Sequence, residues 1–138
     1  MKPIIYLAAQ FHLKEDIRLR KDELLKLRYP VISTWTEEKM HGTVSLKDVG
    51  LDYLMEHARK DLREIDECDL LVLFTVDPDE YTRRGGRHFE SGYAVGVGKQ
   101  LVIIGPSENI FHHLIGVDVY ETWEQFLGTL ESGVYNIE

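Results

Sequence analysis

A chain of 138 residues, 43% of them hydrophobic, suits one compact domain with a sizeable core and leaves little room for a second. Its formal net charge of −8 argues against a broad nucleic-acid surface, because a phosphate backbone needs a basic face. No apolar run reaches membrane-spanning length, no signal-type segment opens the chain, and the single Cys68 has no internal disulfide partner, so a cytoplasmic setting is expected.

Residues 3–9 (PIIYLAA) predict a first strand. Leu13, Ile17, Leu24 and Leu27 then recur at near-helical spacing, predicting an amphipathic helix that Tyr29-Pro30 would end. Residues 31–34 predict a short second strand, and 35–45 a polar loop that contains Trp35. Leu51, Leu54, Met55, Ala58, Leu62 and Ile65 recur at spacings of three and four, predicting a long second helix with this stripe facing inward. Cys68 reads as packing ahead of a buried strand over 69–75. A basic, glycine-containing loop follows, and then a small-residue helix with Glu90 in or near its first turn. Residues 100–104 predict a fourth strand, Gly105-Pro106 breaks the chain, and 117–120 predict a short last strand. A closing helix over 122–130 would pack on the sheet through Trp123. Strands alternating with helices imply an α/β fold: one domain over 1–138, with a doubly wound five-stranded parallel sheet in the flavodoxin-like order 2-1-3-4-5. Such a sheet binds ligands where the strand order reverses, at the carboxyl ends. That edge collects the loops after Ala9, over 77–90 and after Gly105.

Two carboxylates could carry chemistry. A helix N-terminus favours an ionised carboxylate, so Glu90 there could attack an electrophilic carbon; its simpler role is a helix cap. Asp61 lies at i+3 from Ala58 and i−4 from Ile65, bordering the inward stripe, where a charge needs a partner or a purpose. Lys60 or Arg63 could supply the partner. If both carboxylates reach one pocket, they match cleavage of a sugar bond through a covalent intermediate. Arg83, Arg84 and Arg87 cluster between a strand end and a helix start, where an anion would bind. Trp35 could stack on a base. The spacing of His88, His112 and His113 disfavours shared metal ligation, so no metal is expected. No Walker-type loop occurs, and Gly92, Gly96 and Gly98 fall within a helix rather than a strand-to-helix turn, so no cofactor is expected either.

Three segments occur in a telling order: Ile5-Tyr6-Leu7-Ala8-Ala9, then Asp61-Leu62-x-x-Ile65 before Cys68-Asp69, then Gly86-x-x-x-Glu90-x-Gly92-Tyr93-Ala94 followed by Gly98-Lys99. Through them, and over nearly its whole length, the chain resembles the nucleoside 2-deoxyribosyltransferase-like family, including the deoxynucleoside 5′-monophosphate N-glycosidases. The resemblance implies that Glu90 is the nucleophile at the anomeric carbon and that Asp61 orients the substrate and assists departure of the base. It implies a pocket that takes in Tyr6, Ala8, Phe11, Trp35, Gly86, Arg87, Asn109 and His112, with Gly92 and Ala94 letting their helix pack closely on the sheet. It also implies a homodimer or larger homo-oligomer, with residues 108–113 as the segment through which a neighbouring subunit would complete the site. The substrate would be a small nucleoside or nucleotide, not a polymer.

One departure is informative. Where the free-nucleoside transferases carry an acidic residue six positions before the nucleophile, this chain has Arg84, which suits a phosphate better than a hydroxyl. The loop after the first strand, Gln10-Phe11-His12, lacks the serine or arginine of the monophosphate hydrolases. The expected activity is cleavage of the N-glycosidic bond of a nucleoside or its 5′-monophosphate through a glycosyl-Glu90 intermediate, resolved by water or by another base. The alternative is a non-catalytic nucleotide sensor using the same pocket.

Overall fold

A computed structural model describes residues 1–38, 49–77 and 85–138. Four parallel strands stand side by side in chain order: β1 (Ile5–Ala8), β2 (Leu70–Phe74), β3 (Gln100–Ile104) and β4 (Asp118–Tyr120). Leu7 pairs with Val72, Val72 with Val102, and Ile104 with Tyr120. The first three strands are continuous apolar runs and are buried almost throughout, as a parallel sheet covered on both faces requires. Helix α1 (Lys14–Lys26) meets α4 (Trp123–Glu131): Trp123 Nε1 donates to Glu23 Oε2 at 2.9 Å, and the Tyr29 hydroxyl donates to the Leu130 carbonyl at 2.9 Å. The Trp123 ring lies 5.5 Å from that of Phe74, so it packs α4 onto the sheet as the sequence predicts. Helix α2 (Leu51–Glu67) packs on α3 (Gly86–Gly96).

The predicted second strand does not form, so the sheet has four strands among the described residues rather than five. Only one parallel bridge, Ile5 to Val31, survives of it. The physical reason lies one residue further along. The Ser33 hydroxyl accepts the Leu7 N–H at 2.5 Å, and the Trp35 indole donates to the Leu7 carbonyl at 2.7 Å. Side chains therefore satisfy the β1 edge where a backbone ladder would have run, and the chain turns into a short 3-10 helix over Thr34–Glu37. The order of elements is that of the expected sheet with its edge strand reduced to a bridge.

Three further expectations are corrected. On α2 only Ile65 of the predicted stripe is buried, with Leu54 and Leu62 partly so; Leu51, Met55 and Ala58 face solvent. The helix instead turns His57, Lys60, Asp61 and Glu64 partly inward. On α3 the buried residues are Arg87, Ser91 and Ala94, spaced i, i+4 and i+7, whereas Gly92 is exposed with open space where a Cβ would stand. Ala94 packs on the sheet side; Gly92 has no part in that contact. Nor does Pro30 end α1: Arg28, at φ 65°, terminates it in a Schellman arrangement, with Tyr29 N–H donating to the Leu24 carbonyl and Arg28 N–H to that of Leu25.

Candidate active site

Tyr6, the second residue of β1, is fully buried, and its hydroxyl donates to Glu90 Oε2 on α3. Glu90 is the fifth residue of α3, just past its first turn. The helix N-terminus acts only weakly there, and another force decides its charge. Burial pushes the Glu90 carboxyl up to about 8; the Tyr6 hydrogen bond opposes this, and the nearby Asp61 charge adds to it. Burial thus favours the protonated form of Glu90, against the ionised state expected from the helix dipole. The same burial and the same neighbour keep the Tyr6 hydroxyl protonated.

Asp61 sits on α2, partly buried, and burial raises its carboxyl to about 6. Lys60 Nζ lies 3.5 Å from Asp61 Oδ1, and that oxygen accepts no hydrogen bond among the described residues. The pairing with Lys60 is thus present but loose, because Lys60 bonds to Glu38 instead. Arg63 turns away and lies 3.9 Å from Glu56 at the surface. Thr34 fastens the 33–38 segment to α2, donating to Glu64 through its N–H at 3.1 Å and its hydroxyl at 2.7 Å. Tyr6, Glu90 and Asp61 thus influence one another's protonation at a seam formed by β1, α2 and α3. This seam joins a hydrogen-bonded nucleophile candidate to a second carboxyl raised to about 6 by burial.

The other expected pocket residues take varied places. Ala8 ends β1 and is buried, and Phe11 lies in the short turn after it, ring to ring with Trp35 at 6.0 Å. Trp35 is 5% exposed with its N–H on Leu7, so it backs the pocket wall and presents no open face for stacking on a base. Gly86 is the exposed first residue of α3. Arg87 turns inward: its side chain is 2% exposed and donates to Glu108 at 2.5 Å, so its charge is matched within the protein and not offered to an anion. Glu108 also accepts the Val76 N–H at 3.3 Å, tying the end of β2 to α3. His112, expected at a neighbour's site, is buried, and its Nδ1 accepts the Glu108 N–H at 3.0 Å. Asn109 accepts the Phe111 N–H at 3.0 Å and caps a short turn. Arg84, like Arg83, lies outside the described residues. Among the described residues no cluster of His, Cys, Asp or Glu is arranged to hold a metal ion, and no helix is long and apolar enough to cross a membrane.

Sequence reasoning missed Glu38, Glu64 and the pairing of Glu108 with Arg87. Glu64 carried a usable signal, since it shares the Asp61 side of α2; Glu38 and Glu108 lie in irregular segments, where no periodicity marks an inward face.

The architecture occurs in solved structures of two enzymes. A 2-deoxyribosyltransferase from the psychrotolerant bacterium Bacillus psychrosaccharolyticus superposes with a TM-score of 0.67, at 18% identity over 92% of this chain and 95% of that one. The CMP N-glycosidase BcmB of Clostridium botulinum superposes with a TM-score of 0.57, at 18% identity over 93% of this chain and 98% of that one. The likeness spans nearly the full length of all three chains and shows a shared fold. No family model matches the chain, and no curated protein matches it.

Proposed function

We propose that this protein cleaves the N-glycosidic bond of a nucleoside 5′-monophosphate or nucleoside, with Glu90 as the nucleophile. The observation that carries this reading is the hydrogen bond from buried Tyr6 to half-buried Glu90, near Asp61, on the fold shared with an N-glycosidase and a deoxyribosyltransferase. With the single proton of the pair on Asp61, ionised Glu90 attacks the anomeric carbon; the carbon–nitrogen bond breaks and its electron pair leaves with the base. Protonated Asp61 gives the base its proton as it departs. The resulting glycosyl ester is resolved when water attacks the same carbon and Asp61 takes the water's proton, or when a second base attacks instead. Tyr6 fixes the Glu90 rotamer and stabilises its ionised form by donating to it.

A phosphate on the substrate suits the start of α3. Gly85 caps that helix without a side-chain bond, no acidic residue occupies its first turn, and space is open beside Gly85 and Gly86. The first N–H groups of a helix lack helical partners and attract anions. Arg84 precedes Gly86 by two positions, and Arg84→Ala is expected to weaken monophosphate binding more than nucleoside binding. Oligomerisation belongs to the same reading. Phe89, Ile110, Phe111, Leu114 and Ile115 are exposed, and Ile115 is fully so, forming an apolar surface beside the Arg87–Glu108 pair that a second copy of the chain would cover.

The test is chromatographic: incubation with deoxy- and ribonucleosides and their 5′-monophosphates, with and without an added free base. Base release from monophosphates alone is the expected result; exchange that needs an added base would make the protein a transferase. Binding by thermal shift without turnover would make it a sensor, a reading favoured by the protonated form of Glu90, whose hydroxyl could serve sugar oxygens.

A further inference from the structure

Lys60 is fixed beside Asp61 by a residue the reaction does not use. Its ammonium donates to Glu38 Oε1, and His57 Nδ1 lies 2.9 Å from the same oxygen. Burial works against the Glu38 carboxylate, yet bonds from Lys60 and His57 outweigh it and hold its pKa below the usual range. The backbone of Glu38 is held too, its carbonyl accepting from Lys14 Nζ at 2.9 Å. The Glu38 side chain is 8% exposed, so this clamp is poorly screened by solvent. From the clamp, Lys60 stands 3.5 Å from Asp61 Oδ1 without bonding to it. Among the described residues, Glu38 and Glu64 disfavour a charged Asp61 and Lys60 favours it; His57 faces Glu38, and Tyr6 and Glu90 lie across the seam.

We propose that Lys60 is a positioning residue for Asp61: clamped by Glu38, it stands 3.5 Å from the carboxyl in a loose ion pair without a hydrogen bond, favouring its charged form while leaving its proton free to pass to a substrate. This rests on the reading of Asp61 as the proton-transfer group. A lysine released from Glu38 would close on Asp61 and engage the oxygen that the departing base needs. Burial is the largest influence on Asp61, and Lys60 is the next, pulling the opposite way.

A carbon-13 NMR titration of the Asp61 side-chain carboxyl tests this without any substrate, so it stands or falls separately from the base-release assay. Lys60→Met is expected to raise the Asp61 midpoint by about one pH unit, a roughly tenfold gain in proton affinity, and Lys60→Arg to leave it near wild type. Glu38→Ala is expected to lower the midpoint, and by more in the wild-type background than in Lys60→Met, since Glu38 acts through Lys60. An unchanged midpoint in Lys60→Met, or equal shifts from Glu38→Ala in both backgrounds, overturns the proposal. Thermal unfolding identifies folded variants; if Lys60→Met does not fold, Lys60→Gln replaces it in the same cycle.

Discussion

Glu90 and Asp61 are both carboxyls, and the protein raises both, to about 8 and about 6. The proposed chemistry needs one proton shared between them: below about 6 both hold protons, and above about 8 neither does. kcat/KM is therefore expected to follow a bell with limbs near these values, and the limbs belong to the pair rather than to either residue. A pH profile that rises or falls monotonically from 5 to 9 would contradict the pairing. Glu90 also links stability to pH. Its folded pKa lies above its ordinary value of 4.5, so as pH rises from about 4.5 to about 8 the unfolded state loses its proton first and the fold weakens. Glu90→Gln cannot ionise and keeps an acceptor for Tyr6. It is expected to melt several degrees above wild type at pH 8, a difference of at most a few kcal/mol, and near wild type at pH 4. A lower melting temperature at both pH values would make Glu90 structural.

Among the elements, the junction after β3 has the least tolerance. Gly105 has φ +114°, and a Cβ there would stand 2.5 Å from Thr75 Oγ1 and 3.3 Å from the Thr75 carbonyl oxygen. Gly105→Ala is expected to cost about 1–3 kcal/mol in denaturant unfolding. Gly92→Ala, exposed in α3 with no atom within 4 Å, is expected to stabilise by up to about 1 kcal/mol. Similar effects from the two would undo this distinction. The helices and buried strands were legible because their residues repeat at 3.6 or run unbroken and apolar, and Tyr6, Asp61 and Glu90 could be picked out by spacing and resemblance. The edge strand was not legible, because Ser33 and Trp35 replace its ladder with side-chain bonds to Leu7. The polar inner face of α2 was hidden for a related reason: apolar periodicity marks Leu51, Met55 and Ala58 as inward, while Lys60 and Asp61 are held at the seam by electrostatics. The inward turn of Arg87 depends on Glu108, twenty-one positions away, which no local pattern connects to it.

At the scale of the whole molecule, the exposed apolar run Ile110, Phe111, Leu114 and Ile115 is the surface proposed to meet a second copy of the chain. Light scattering across a range of protein concentrations is expected to show an oligomer, and a charge at Ile115 (Ile115→Lys) to shift it toward monomer with the fold retained. A monomer at every concentration in both proteins would leave this surface without the proposed role. The clamp at Lys60 and the setting of Glu90 against Tyr6 serve one reaction in this account, so the most direct test is at Glu90 itself. Base release from a nucleoside 5′-monophosphate should be compared between wild type and Glu90→Gln at the pH of maximal activity. The account predicts release by the wild type and a loss of roughly a thousandfold or more in the variant, with its fold and ligand binding intact. Release by Glu90→Gln at a rate near wild type, or no release by the wild type from any nucleotide or nucleoside, would contradict it.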